Sequence, residues 1–183
     1  MKFARGYRLA MNVVRPIFAA FATLLAASSI RAAPDSAASR CAAPAYRQFD
    51  FWAGDWDAYD ADDMSRPAAR VRVEAILDGC ALREDYRGTN GLVGESLNIY
   101  DAVRKVWHQS WVTNRGQLLV LEGELRDGTM ELRATETTPS GPVLWKALWI
   151  PASEGRVRET AQTSSDGGRT WKPAFDMVFR KHR

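Results

Sequence analysis

From about residue 48 onward, apolar and polar residues alternate in one segment after another. Val71, Val73, Ala75 and Leu77 share one face, and Arg70, Arg72 and Glu74 the other. Met130, Leu132 and Ala134 alternate with Glu131 and Arg133, and Phe175, Met177 and Phe179 with Asp176 and Arg180. A period of two with one apolar face marks a half-buried strand. The pattern predicts about ten strands, over 49–59, 68–77, 81–87, 93–101, 106–113, 117–125, 129–136, 143–151, 156–164 and 173–181. No useful length of helical period follows residue 32.

Turn signals punctuate these segments every 12 to 14 residues, among them Asp78-Gly79, Asn90-Gly91, Asp127-Gly128 and Asp166-Gly167-Gly168. Gly and Asn supply the positive φ of tight hairpins. One strand and one turn fill each interval, which leaves no room for a crossover helix. The expected fold is all-β, an up-and-down antiparallel barrel of about ten strands.

Six of the seven tryptophans fall in pairs four apart: Trp52/Trp56, Trp107/Trp111 and Trp145/Trp149. Positions i and i+4 of a strand lie on one face, roughly 13 Å apart. Trp145 and Trp149 share their face with Val143 and Ala147, so they are expected to point inward. Such side chains fill a core or line a cavity for an apolar ligand, and filling is the commoner role.

Other faces are polar. Ser96, Asn98 and Tyr100 lie opposite Glu95, Leu97 and Ile99; Gln109 sits between Trp107 and Trp111; Glu84 shares a face with Tyr86, and Arg158 with Gln162 and Ser164. Turned inward, these faces would give a polar and aromatic lining. Ordinary alternation favours the opposite for 93–101, with Leu97 and Ile99 in the core and Ser96, Asn98 and Tyr100 in solvent.

The N-terminus follows different rules. Lys2, Arg5, Arg8 and Arg15 precede an apolar run from Ile17 to Ala27, with small residues and Pro34 after it. That layout predicts a secretory signal peptide over 1–32. The run is too short to span a bilayer. Residues 33–47, rich in Ala, Ser and Pro, are expected to form a flexible arm before a single barrel domain at 48–183. Residues 1–32 hold five basic residues and no acidic ones, so cleavage takes the net charge from +3 to −2. The case for a nucleic-acid partner goes with them. Cys41 and Cys80 are expected to form a disulfide in an exported chain, tying the arm to the turn after Asp78-Gly79. The expected location is the periplasm or the exterior. The chain is expected there as a monomer or weak homodimer, with no stable membrane insertion after cleavage.

Gly54-Asp55-Trp56 at the first strand matches the short G-x-W signature of lipocalins and other calycins. With it recur Asp78-Gly79-Cys80-Ala81-Leu82, Ser96-Leu97-Asn98 with Tyr100-Asp101, Trp107-His108-Gln109 with Trp111-Val112, and Asp166-Gly167-Gly168 with Thr170-Trp171. In that order, over roughly residues 47–182, the chain resembles a family of exported bacterial proteins of unknown function, described as lipocalin-like or calycin-like barrels. The resemblance implies a barrel with an interior pocket and brings no activity with it. The pattern shows neither the C-terminal helix of lipocalins nor the helical lid of fatty-acid-binding proteins.

Candidate chemistry is sparse. His108, opposite Trp107 and Trp111 on its strand, suits a heme ligand or an acid–base group, although a lone strand histidine is more often structural. Glu84 and Tyr86 are the other catalytic candidates. No second His or Cys is spaced for zinc. Ser164-Ser165-Asp166-Gly167-Gly168-Arg169-Thr170-Trp171 fits the Asp-box pattern and reads as a structural hairpin. Asp57, Asp60, Asp62 and Asp63 read as a solvated acidic turn rather than a calcium loop.

The expected function is binding of a small hydrophobic or amphipathic molecule inside the barrel. Trp107, Trp111, Trp145 and Trp149 would give apolar contact, and Gln109, Asn98, Tyr100 and Arg158 would orient a polar head. The alternatives are a small barrel enzyme of isomerase or hydrolase type and a heme-binding barrel, each using the same cavity. No other cofactor is expected.

Overall fold

The computed structural model describes residues 40–183, so the expected signal peptide lies outside the described residues. Ten antiparallel strands run in chain order: β1 (Gly54–Asp60), β2 (Ala69–Ile76), β3 (Ala81–Gly88), β4 (Val93–Asp101), β5 (Val106–Thr113), β6 (Leu118–Arg126), β7 (Thr129–Thr138), β8 (Gly141–Pro151), β9 (Val157–Ser164) and β10 (Lys172–Lys181). Each pairs with its neighbours in sequence, and β1 pairs with β10 to close the ring. This is the up-and-down barrel that the turn spacing predicts, consistent with a calycin-like fold. One of the two two-residue connections among the described residues is Asp127-Gly128, whose φ values of 48° and 78° join Arg126 to its register partner Thr129. Positive φ at both central residues is the mirror-image turn that matches strand twist.

Two expected strands are shorter than their patterns. The segment 49–59 does not run as one strand. Pro44–Arg47 and Asp50–Trp52 are 3₁₀ turns, and β1 starts only at Gly54. The reason is packing: the chain crosses one barrel end and buries Phe49 and Trp52 completely. β2 also stops early. Ala75 and Leu77 are exposed, and Leu77 and Asp78 adopt φ of 53° and 55° in a turn.

The crossing segment is a plug built from aromatic rings. Phe49 stacks on Trp52 at 5.0 Å and meets the edges of Trp107 and Trp149 at 5.6 and 5.3 Å. Trp56 Nε1 donates to the Trp52 carbonyl, and Trp107 Nε1 to Gln48 Oε1. Residues 40–47, within the segment expected to be a loose arm, are fastened down. Cys41 is disulfide-bonded to Cys80, Arg47 donates to the Gly79 carbonyl, and Tyr46 packs edge-on against Tyr100 at 5.5 Å.

Outside the barrel, charged side chains pair across strands. Arg83 bonds Glu74 at 2.7 Å, and Arg158 of β9 pairs with Asp176 of β10. The Asp-box sequence forms the expected hairpin cap, with Asp166 accepting from the amides of Arg169 and Thr170 and the hydroxyls of Ser164 and Thr170. Lys146 lies over the Trp171 ring at 5.1 Å. No helix among the described residues is long and apolar enough to cross a membrane.

Candidate functional site

The plug fills one end of the barrel, and Trp56, Met130, Leu132 and Phe179 continue the packed core beside it. A cavity of about 310 Å³ lies beyond it, at the lower end of the roughly 300–1,000 Å³ of small-molecule sites. Trp111 of β5, Leu119 and Leu121 of β6, and Trp145, Ala147 and Trp149 of β8 form one apolar wall. Ala161 of β9 with Phe175 and Met177 of β10 form another. Leu92 and Gln117, from loops at the far rim, bound the outer end. Glu84 and Tyr86 of β3, Gln109 of β5 and Glu159 of β9 bring polar groups to this lining.

Strand parity places each of them, and on β4 it reverses the ordinary expectation. Ser96 and Asn98 are 2% and 0% exposed, whereas Leu97 and Ile99 are 53% and 39% exposed. The polar residues that face inward bond largely to one another. Glu84 sits opposite Ser96, and Asn98 opposite Gln109. Ser96 Oγ donates to Glu84 Oε2 at 2.8 Å and accepts from Asn98 Nδ2 at 2.9 Å and Gln109 Nε2 at 3.4 Å. The network partners these buried groups except Asn98 Oδ1 and holds Glu84 at one position on the wall.

Gly94, two residues before Ser96, makes room for the aromatic wall. A Cβ there would stand 2.3 Å from Trp111 Cη2. Tyr86, paired with Gly94 across the ladder, meets Trp111 edge to face at 5.9 Å.

The lining perturbs its acids strongly. Burial pushes the Glu84 carboxyl up to about 7, against the lowering effect of the Ser96 hydrogen bond. The Asp85 charge adds a smaller rise. Burial also raises Glu159, with a further contribution from the Glu84 charge. The Trp149 indole N–H beside Glu159 works the other way, yet it is buried and makes no hydrogen bond of normal geometry. The Tyr86 phenol is raised by burial, then by Glu159 and Glu84. Only the protonated forms of such groups sit comfortably in an apolar enclosure.

Near the rim the wall divides. The β6–β7 ladder joins Glu122–Arg126 to Thr129–Arg133 and goes no further. Beyond it, Leu118–Leu121 pairs only with β5, and Ala134–Thr138 only with β8. One side chain bridges the split: Glu136 of β7 accepts from Gln117 Nε2 at 3.2 Å, while its other oxygen accepts from Trp145 Nε1 of β8 at 2.8 Å.

The candidate residues read from sequence separate into groups. Gln109, Trp111, Trp145 and Trp149 line the cavity, as do Glu84 and Tyr86. Trp107 and Tyr100 instead pack on the plug, with their rings 6.0 Å apart. Asn98 lies behind the lining and supports Ser96. Arg158 does not face the ligand space: it points outward to Asp176, because β9 turns Val157, Glu159 and Ala161 inward. His108 also faces outward, between Glu122 at 3.0 Å and Ser110 at 2.9 Å, and His182 bonds Asp57. Neither histidine lines the cavity. Glu159 is absent from the sequence candidates, although the apolar pair Val157 and Ala161 on either side of it marks that face as the inner one.

Among the described residues, no group of three or more His, Cys, Asp or Glu is placed to hold a metal ion. In the acidic turn, Asp60 caps the Asp62 amide and Asp63 the Ser65 amide. No protein-family model matches the chain, and no curated protein matches it significantly.

Proposed function

We propose that this protein is an exported binding protein that holds one small amphipathic molecule in the barrel interior. The observation that carries this reading is the cavity itself: aromatic and aliphatic walls around a few fixed polar groups. Small-molecule sites have that composition. Trp111, Trp145 and Trp149 would supply contact area, and Glu84, Gln109 and Glu159 would orient the polar end. The Cys41–Cys80 disulfide supports an oxidising compartment, in keeping with the leader-like N-terminus. The proposal requires no cofactor.

Three cavity tryptophans give the test a direct readout. Titration with small amphipathic molecules is expected to quench or shift their emission saturably. No saturable response from any member of a chemically broad panel overturns the reading.

An acid–base enzyme is a second reading, favoured by a carboxyl near 7 beside the Tyr86 phenol in one enclosure. It requires that a bound molecule be chemically changed. Ligand recovered unaltered by mass spectrometry after prolonged incubation overturns it.

A further inference from the structure

We propose that the ligand's polar end is a cation, an ammonium carried on an alkyl or aryl body, held between Glu84 and Glu159. The inference rests on the binding-protein reading and specifies its ligand class.

The lining is one-sided in charge. Its ionisable residues are Glu84, Tyr86 and Glu159, and it contains no Lys, Arg or His. The basic residue nearest in role, Arg158, is outside the wall and committed to Asp176. A carboxylate or phosphate ligand would therefore meet two acids and no counter-charge. An ammonium would meet two carboxyls and the aromatic faces of Trp111, Trp145 and Tyr86, whose quadrupoles attract cations.

The Trp149 indole N–H is a second observation pointing the same way. Trp149 is 2% exposed and lines the cavity, and its N–H lies beside Glu159 without a hydrogen bond of normal geometry. It sits beside Glu159 as a donor in reserve for a carboxylate. Once a cation enters, Glu159 can ionise with Trp149 on one side and the ammonium on the other. Glu84 already has the Ser96 hydroxyl as its donor. Each acid thus has one donor from the protein, and the ligand supplies the other.

Proton balance follows. Burial favours the protonated form of both acids, so an arriving ammonium is expected to displace a carboxyl proton to solvent. The other titratable groups facing the pair are Tyr86, on the same strand as Glu84, and Glu136 at the rim, tied to Gln117 and Trp145. Tyr100 of β4 is turned to the plug, and Asp85 points outward from β3. The cavity-lining residues of β5, β6, β8 and β10 bring no titratable group, and Lys181 of β10 lies at the plug end over the Trp56 ring, outside the lining. Affinity for the amine is expected to rise with pH through the neutral range.

The test uses matched series, octylamine, octanol and octanoate, with phenethylamine, phenethyl alcohol and hydrocinnamate. Each is titrated into the mature protein and read by tryptophan emission and by calorimetry in two buffers of different ionisation enthalpy. The amine is expected to bind at least about tenfold tighter than its alcohol, and the carboxylate most weakly. Buffer-dependent heat is expected to report proton release. Glu159→Gln and Glu84→Gln are expected to bring the amine-to-alcohol ratio toward one. An alcohol or acid that binds as tightly as its amine overturns the cation assignment and leaves the binding protein standing. So does a preference that survives both substitutions, or binding without proton release. No binding by any of the six overturns both readings.

Discussion

Glu84 and Glu159 present their carboxyls to one cavity from strands four places apart around the ring, and the Glu84 charge raises the proton affinity of Glu159. The pair ties fold stability to pH. Folding raises Glu84 from an ordinary 4.5 to about 7, so the native state holds a proton that the unfolded chain gives up. Stability is therefore expected to fall as pH rises from about 4.5 through about 7 and to stay lower above that. For Glu84 alone the loss is about 3 kcal/mol. Exposed carboxylates such as Asp176, held low by Arg158, act in the opposite sense at acid pH. Glu84→Gln isolates the buried contribution. Urea unfolding at pH 5 and 8 should show a smaller pH effect in the variant than in the parent. Equal slopes would show that Glu84 is not a buried neutral acid.

The barrel was far more legible in the sequence than its site. Period-two patterning and glycine turns act locally, and residues such as Met130, Leu132 and Phe179 sit where they indicate. Parity on β4 was not legible, because Leu97 and Ile99 satisfy the usual core pattern while Ser96 and Asn98 are inside. What turns them inward is a network with Glu84 and Gln109 on neighbouring strands, and no single segment encodes it. The plug escaped for a related reason: Trp52 and Trp56 have strand spacing, yet Trp52 closes the barrel end from a 3₁₀ turn.

Gly94 and Gly123 should differ sharply in their tolerance of alanine. A Cβ at Gly94 meets the Trp111 ring, and one at Gly123 meets the Glu131 carbonyl oxygen at 1.9 Å. A ring can tilt away into the cavity, but a ladder carbonyl cannot move without breaking its strand. Gly94→Ala is expected to cost about 1–3 kcal/mol and to shift the tryptophan emission. Gly123→Ala should cost more. Thermal and urea unfolding of the two variants decides the order, and equal or reversed costs would contradict this account.

The Cys41–Cys80 bond closes a loop of 39 residues that contains the whole plug. Loop-closure entropy alone makes it worth about 4 kcal/mol. Removing it through a Cys41→Ser, Cys80→Ser double variant should lower stability by that order. The plug rings should loosen first, exposing Trp52 and Trp107 to acrylamide quenching before the barrel unfolds. A single unfolding transition at the parent's midpoint, with unchanged quenching, would show that the bond does not anchor the plug.

Glu136 latches the divided wall between β6 and β7. From the β7 edge, one of its oxygens holds Gln117 across the split, where no ladder joins β6 to β7, and the other holds Trp145 of neighbouring β8. Glu136→Ala removes the bond across the split and releases the Trp145 indole. Each hydrogen bond to a charged group contributes about 1.5–3 kcal/mol, less at a partly exposed site. The expected loss of stability is therefore modest, about 1–2 kcal/mol. The larger expected effect is kinetic. Trp145 borders the cavity, so freeing it should open a lateral path between β6 and β7 and speed both association and dissociation of a cavity ligand. Stopped-flow tryptophan fluorescence with octylamine reads both rates. Unchanged rates in Glu136→Ala would place ligand entry at the loop rim around Leu92 rather than between β6 and β7.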